Sequence, residues 1–151
     1  MDDIIGKTGI ESMFEEYLKG TSGQKQVEMS VDGTITGENI TKEAVAGSNV
    51  ILTIDSTLQS VTEEALANCV EKIKNGGFSQ VYDAKGGAAV VMNVNTGEVL
   101  AMASYPSYEP QWFVGKLESD KWNYMNDSET HPLLNKAIQG TYEPGSVLSL
   151  I

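Results

Sequence analysis

The residues best placed to do chemistry in this 151-residue chain are Tyr142-Glu143-Pro144-Gly145-Ser146. Pro144 and Gly145 make a sharp approach, after which Ser146 would open a helix. A serine at a helix start sits beside unpaired backbone N–H groups and the positive end of the helix dipole. That placement suits the stabilisation of a developing oxyanion. Taken alone, the pentapeptide fits a serine N-cap better than a nucleophile.

Other candidates carry less. Gly6-Lys7-Thr8 spells the end of a phosphate-binding loop, but that motif needs a glycine where Met1 stands and a strand before it. Glu15-Glu16 and Glu63-Glu64 are sequence neighbours on expected helices, do not share a face, and read as solvated surface. His131 precedes Pro132 and reads as a loop residue. A serine esterase would need it as half of a His–Asp partnership, and the Gly-x-Ser-x-Gly elbow is absent. One Cys and one His leave zinc and iron–sulfur centres short of ligands, so no metal or other cofactor is expected. Tyr105, Tyr108, Trp112, Phe113, Trp122 and Tyr124 either line a groove or pack a long connection onto the core, and packing is favoured.

The overall balance removes whole classes. Asp and Glu number 21 against 10 basic residues, all Lys, giving a net charge of −11. Nucleic-acid binding needs the opposite field. Hydrophobic residues are 40% of the chain, as in ordinary globular domains. No run approaches the length of a membrane span. The first residues, Met1-Asp2-Asp3-Ile4-Ile5-Gly6, lack the regions of a signal peptide, so any targeting segment is expected outside this sequence.

Several elements must position the serine. Ile10, Met13, Phe14, Tyr17 and Leu18 form one helical stripe, predicting a helix over 8–20 with a Thr8/Glu11 capping box and a left-handed Gly20. Val27, Met29 and Val31 alternate as a half-buried strand, and Asp32-Gly33 turns it into a return strand from Thr34. Residues 37–47 are polar without a period, and a boundary is placed there. Residues 49–54 are rich in β-branched side chains. Ser56 and Gln59 then form a second capping box for a helix of about 20 residues. Its expected inner face is Leu58, Val61, Thr62, Ala65, Leu66, Cys69, Val70 and Ile73, ended by Asn75-Gly76-Gly77. Cys69 is thereby expected to be buried and inert. Strands at 86–92 and 99–103 pair antiparallel about Asn95-Thr96-Gly97. Neither alternates cleanly, so both faces are expected to be covered, and Ala88, Ala89, Ala101 and Ala103 would admit close helices. Residues 105–131 are long and irregular, with a short helix near 111–118. Another short helix is expected at 132–139.

Four blocks, in this order and spacing, resemble the class B penicillin-binding proteins, serine D,D-transpeptidases. They are Gly6-Lys7-Thr8-Gly9-Ile10-Glu11 with Tyr17-Leu18-Lys19-Gly20; Leu52-Thr53-Ile54-Asp55 with Leu58-Gln59; Gly87-Ala88-Ala89-Val90-Val91-Met92 with Thr96-Gly97-Glu98-Val99-Leu100-Ala101-Met102-Ala103-Ser104-Tyr105-Pro106; and Leu134-Asn135-Lys136-Ala137-Ile138 with Tyr142-Glu143-Pro144-Gly145-Ser146. The last block leads, in that family, into Ser-x-x-Lys. The resemblance makes Ser146 the acyl-accepting nucleophile. A lysine three residues on would reach its Oγ across one helical turn and take its proton. Here that position holds Ser149, whose hydroxyl is no base near neutral pH. Position 136 also departs, with Lys where the family usually has Arg, and the spacing of neither Lys136 nor Lys85 brings it to Oγ. Lys7-Thr8-Gly9 spells the family's third motif in the wrong place, and Asn126-Asp127-Ser128 reads the second backwards.

The resemblance implies an α+β fold. A pedestal and linker piece with a helix and a hairpin, residues 1–47, precedes the leading part of a transpeptidase domain, residues 48–151. Its antiparallel sheet, packed with helices, would be incomplete, with exposed edges that favour marginal stability or self-association. The intact relative would face outward on the bacterial cell membrane and cross-link peptidoglycan from D-Ala-D-Ala stem peptides. It would also bind β-lactams. This chain, without the lysine, is expected to be inactive. The alternative is a non-catalytic module that binds other cell-wall assembly proteins.

Overall fold

The computed structural model describes residues 5–142. It has two compact units, Met1–Leu52 and Thr53–Ile151. Both belong to the α+β class, each with a two-stranded antiparallel sheet and helices.

In the first unit the expected single helix is two short ones, α1 (Gly9–Met13) and α2 (Glu15–Leu18), broken at Phe14. The stripe that predicted continuity has no layer to pack on among the described residues. Met13 is 75% and Tyr17 60% exposed. Without tertiary burial, short helices do not propagate. The capping box also fails. Thr8 makes no side-chain cap bond, and Glu15 Oε2 instead accepts the Gly6 N–H at 2.8 Å. Gly20 is not left-handed; a side chain there would strike the Val45 carbonyl, beside the Thr21–Val45 bridge.

Strands β1 (Gln24–Met29) and β2 (Ile35–Lys42) form the expected hairpin, with Gly33 at φ +85° in the turn. Strand β2 extends into the aperiodic polar stretch 37–47 as far as Lys42, and its threonines reinforce the ladder. Thr36 Oγ1 donates to the Glu28 carbonyl and Thr41 Oγ1 to that of Gln24. The alternation is correct but the half-burial is not. The register puts Lys25, Val27 and Met29 on one face with Ile40, Glu38 and Ile35, and Met29, Ile35 and Ile40 are exposed. Lys25 pairs with Glu38 across that face.

The second unit is built on α3 (Ser56–Lys74), 19 residues long as the period predicted. Its cap is Asp55, not Ser56: Asp55 Oδ1 accepts the Leu58 N–H at 2.8 Å. Gln59 is thereby free to turn toward the sheet. Strands β3 (Gly87–Met92) and β4 (Val99–Tyr105) pair antiparallel, with Ala89 opposite Ala103 and Val91 opposite Ala101. Ala101 and Ala103 are buried and let α3 approach closely. Gly87 serves the same contact, since a Cβ there would lie 3.2 Å from Leu66 and 3.4 Å from Val70.

The hairpin is covered less fully than expected: α3 lies on the face of Ala101 and Ala103, the run at Lys136–Gln139 reaches the other face only at Ser104, and Ala88, Val90 and Met92 are exposed. On α3 one row faces the sheet, Leu58-Thr62-Leu66-Val70, with Val70 buried and the other three half-buried. The adjacent row, Val61-Ala65-Cys69, is exposed. Cys69 is therefore a free, exposed thiol and not the buried hydrophobe expected.

The outer edge of β4 is closed by side chains and by the run into α3. Thr53 Oγ1 donates to the Val99 carbonyl at 2.7 Å, and the Asp55 N–H donates to the Leu100 carbonyl at 2.9 Å. The Gln59 amide pairs with both backbone groups of Met102, at 2.8 and 2.9 Å. Gln59→Ala strands both groups at a half-buried edge and should cost about 2 kcal/mol, read as a lower urea midpoint at unchanged slope.

Residues 106–131 leave the sheet and return. They hold a 3₁₀ turn (Pro110–Phe113) and α4 (Ser119–Met125), in place of the one helix expected near 111–118. Helix α5 (Lys136–Gln139) follows, shorter than expected and capped by Asn135 Oδ1.

Candidate functional site

Ser146 and Ser149 lie outside the described residues, so the site is described from the segment that leads to them. Four residues of α5 end at Gly140, whose N–H donates to the Lys136 carbonyl at 3.2 Å. The segment is fixed to the sheet through Ser104. Ser104 Oγ accepts the Lys136 N–H at 3.0 Å and donates to the Leu134 carbonyl at 3.3 Å. An open cleft lies beside it, lined by Met125, Asp127, His131, Leu134 and Gln139 among others.

The two lysines weighed in the sequence have different fates. Lys85 is exposed and committed to Glu129 at 2.8 Å and Asp83 at 3.0 Å. The hydrogen bonds it donates to these carboxylates, Glu129 first, raise its pKa. Lys136 is only 8% exposed. Its ammonium donates to the carbonyls of His131 at 2.9 Å and Pro106 at 3.4 Å. Burial lowers its pKa from the ordinary lysine value.

The remaining candidates have structural occupations. The His131 carbonyl serves Lys136, and its backbone is left-handed at φ +46°. Asp127 is engaged by Thr130 and by the N–H of Glu129, which hold its carboxyl below the usual range. Lys7-Thr8-Gly9 opens α1 with Gly9 at φ +60°, not a strand. Glu63 accepts from Gln59 at 2.6 Å. Four of the six aromatic residues pack on each other and not onto the core as expected, and Phe113, Trp122 and Tyr124 are exposed. Tyr108 meets Phe113 edge-on at 5.6 Å, Trp112 meets Tyr124 at 5.8 Å, and the Tyr124 hydroxyl donates to the Ser107 carbonyl.

Sequence reasoning missed the roles of Gln59 and Lys136, whose partners are backbone groups, those of Met102 and Pro106 being distant in the chain. It also missed the Tyr105 hydroxyl donating to Glu71 at 3.1 Å, which ties β4 to α3. Lys74, then Tyr105, hold the Glu71 carboxyl below its usual range. Among the described residues no group of three or more His, Cys, Asp or Glu could hold a metal ion. No described helix is long and apolar enough to cross a membrane.

Comparison with known proteins covers both units. The family model of the penicillin-binding protein dimerisation domain matches residues 1–52. That of the penicillin-binding protein transpeptidase domain matches residues 87–148. The peptidoglycan D,D-transpeptidase MrdA of Acinetobacter baumannii is 32% identical over 146 residues, 97% of this chain and 19% of that protein. A solved structure described as the structural coordination of polymerization and crosslinking by a peptidoglycan synthase complex aligns at TM-score 0.74. It is 34% identical and covers 88% of this chain and 24% of its own. The complex between penicillin-binding protein PBP2 and MreC from Helicobacter pylori aligns at TM-score 0.54 and 29% identity, over 94% of this chain and 24% of that one. The chain thus spans about a fifth of the length of the curated relatives it matches.

Proposed function

Given that this chain belongs to the class B penicillin-binding proteins, we propose that Ser146 holds the place of their acyl-accepting serine and that the chain cannot complete acyl transfer on its own. The observation that carries this is a transpeptidase-domain match running through Ser146 to residue 148, followed by Ser149. In the full reaction the serine Oγ attacks the carbonyl of a D-Ala-D-Ala stem peptide or a β-lactam. The serine proton must leave as the C–O bond forms. A lysine one helical turn away would take it; a second serine does not. Without that acceptor the attacking group stays a neutral hydroxyl. In this reading residues 1–47 are the pedestal and linker piece, within the stretch that the dimerisation-domain model matches, and residues 48–151 are the leading part of the transpeptidase domain. The location is the outward face of the bacterial cell membrane, where peptidoglycan is cross-linked.

Incubation with a labelled penicillin followed by intact-mass measurement should show no acyl adduct. A stoichiometric adduct on Ser146 overturns the inactivity.

A second reading has its own observation. The β1–β2 face bearing Val27, Met29, Ile35 and Ile40 is exposed, within the segment that the dimerisation-domain model matches. The alternative function is a non-catalytic module that binds other wall-assembly proteins through that unit. Specific retention from a cell-envelope extract that survives Ser146→Ala supports it, and loss of retention in that variant counts against it.

A further inference from the structure

Lys136 is the buried charge that the acyl chemistry leaves unused. Its two acceptors, the carbonyls of Pro106 and His131, are the first and last residues of the 106–131 excursion. One ammonium therefore bridges both ends of a loop that holds the 3₁₀ turn, α4 and the paired aromatic rings. Its stem lies against the residue just before β3: a Cβ on Gly86 would come within 3.0 Å of Lys136 Cε. Its own N–H is held by Ser104 on β4.

We propose that Lys136 is a positioning residue, a clasp that closes residues 106–131 at their neck and fixes where the α5 run toward Ser146 leaves the sheet. Its functional meaning rests on the reading of Ser146 above; the clasp itself does not. The physical case is that burying an ammonium without a counter-ion is costly. Among the described residues its ammonium has two carbonyl acceptors and no carboxylate. Were the site only filled space, an apolar side chain of similar volume would serve as well or better. The lysine differs from such a side chain by two charge-assisted hydrogen bonds, and these join segments that the sheet does not join.

The test uses the whole chain with Lys136→Met, which keeps the unbranched stem and removes the charge, and Lys136→Arg, which restores donors to both carbonyls. Both tryptophans of the chain, Trp112 and Trp122, lie inside the excursion, so their emission reports on it directly. Amide exchange is followed separately in 107–130, in 137–142 and in β3, β4 and α3. In the Met variant, exchange in 107–130 and 137–142 should rise about tenfold or more and tryptophan emission should shift to the red, with the sheet and α3 still protected. The Arg variant should restore both. Unchanged exchange and emission in the Met variant would show filled space only. Loss of protection in sheet and excursion together would make Lys136 a core residue. Failure of Arg to rescue would remove the bridging donors from the account. Each of these three overturns the clasp. None depends on penicillin acylation, so the clasp and the reading of Ser146 fail separately.

Discussion

Gly86→Ala should destabilise the second unit by about 3 kcal/mol or more, the upper end for overpacking a closed site. The added methyl would overlap the Tyr105 carbonyl oxygen and sit 3.0 and 3.3 Å from Lys136 Cε and Cδ. A flexible side-chain end could move aside, but a backbone carbonyl can do so only if its strand moves. Tyr105 is paired with Gly87 and closes the ladder. Its hydroxyl is also tied to Glu71 on α3. Relief of the clash must therefore disturb β3, β4 or the helix beneath them. Thermal unfolding followed by circular dichroism should show the loss as a lower midpoint. A midpoint equal to that of the unaltered chain would mean that the β3 start yields freely, and the neck at Lys136 would then be loose as well.

What the sequence made legible followed local chemistry. The α3 period, its Asn75-Gly76 stop and the β3–β4 turn all come from residues a few positions apart. Gly76 and Gly97, at φ +73° and +78°, stand where the sequence placed the helix stop and the turn. The misread features were decided at long range. Ser56 and Asp55 are adjacent and either can cap a helix. The choice depended on Gln59 finding Met102, 43 residues away. The rows Leu58-Thr62-Leu66-Val70 and Val61-Ala65-Cys69 both read as inner face, and the two-stranded sheet receives the first and leaves the second exposed. Lys136 left no sequence signal because its partners are carbonyls, which every residue carries. Recognition of Ser146 came from four separated blocks and not from any contact. Its setting, and that of Ser149, lies outside the described residues.

Gly47→Ala should open the first unit at the junction between α2 and the hairpin. A Cβ on Gly47 would overlap the Leu18 carbonyl and lie 3.2 Å from the Gly20 nitrogen. The backbone closure is concentrated here: Thr21 and Val45 exchange N–H···O bonds at 2.8 and 2.9 Å, and the Ser48 N–H donates to Tyr17 at 2.6 Å. No described residue of 5–52 is buried. Cohesion in this unit therefore rests on backbone hydrogen bonds and not on a core that could absorb a shift. Once Leu18 is displaced, little else holds the end of α2 to residues 45–48. Amide exchange at Thr21, Val45 and Ser48 should accelerate by about tenfold or more, the cost of one or two lost hydrogen bonds. Amides of α3 and β3 should keep their rates, since none of the atoms the methyl would meet belongs to them. Unchanged exchange at those three amides would mean that Gly47 is a replaceable loop residue and that the first unit is held together by something other than this closure.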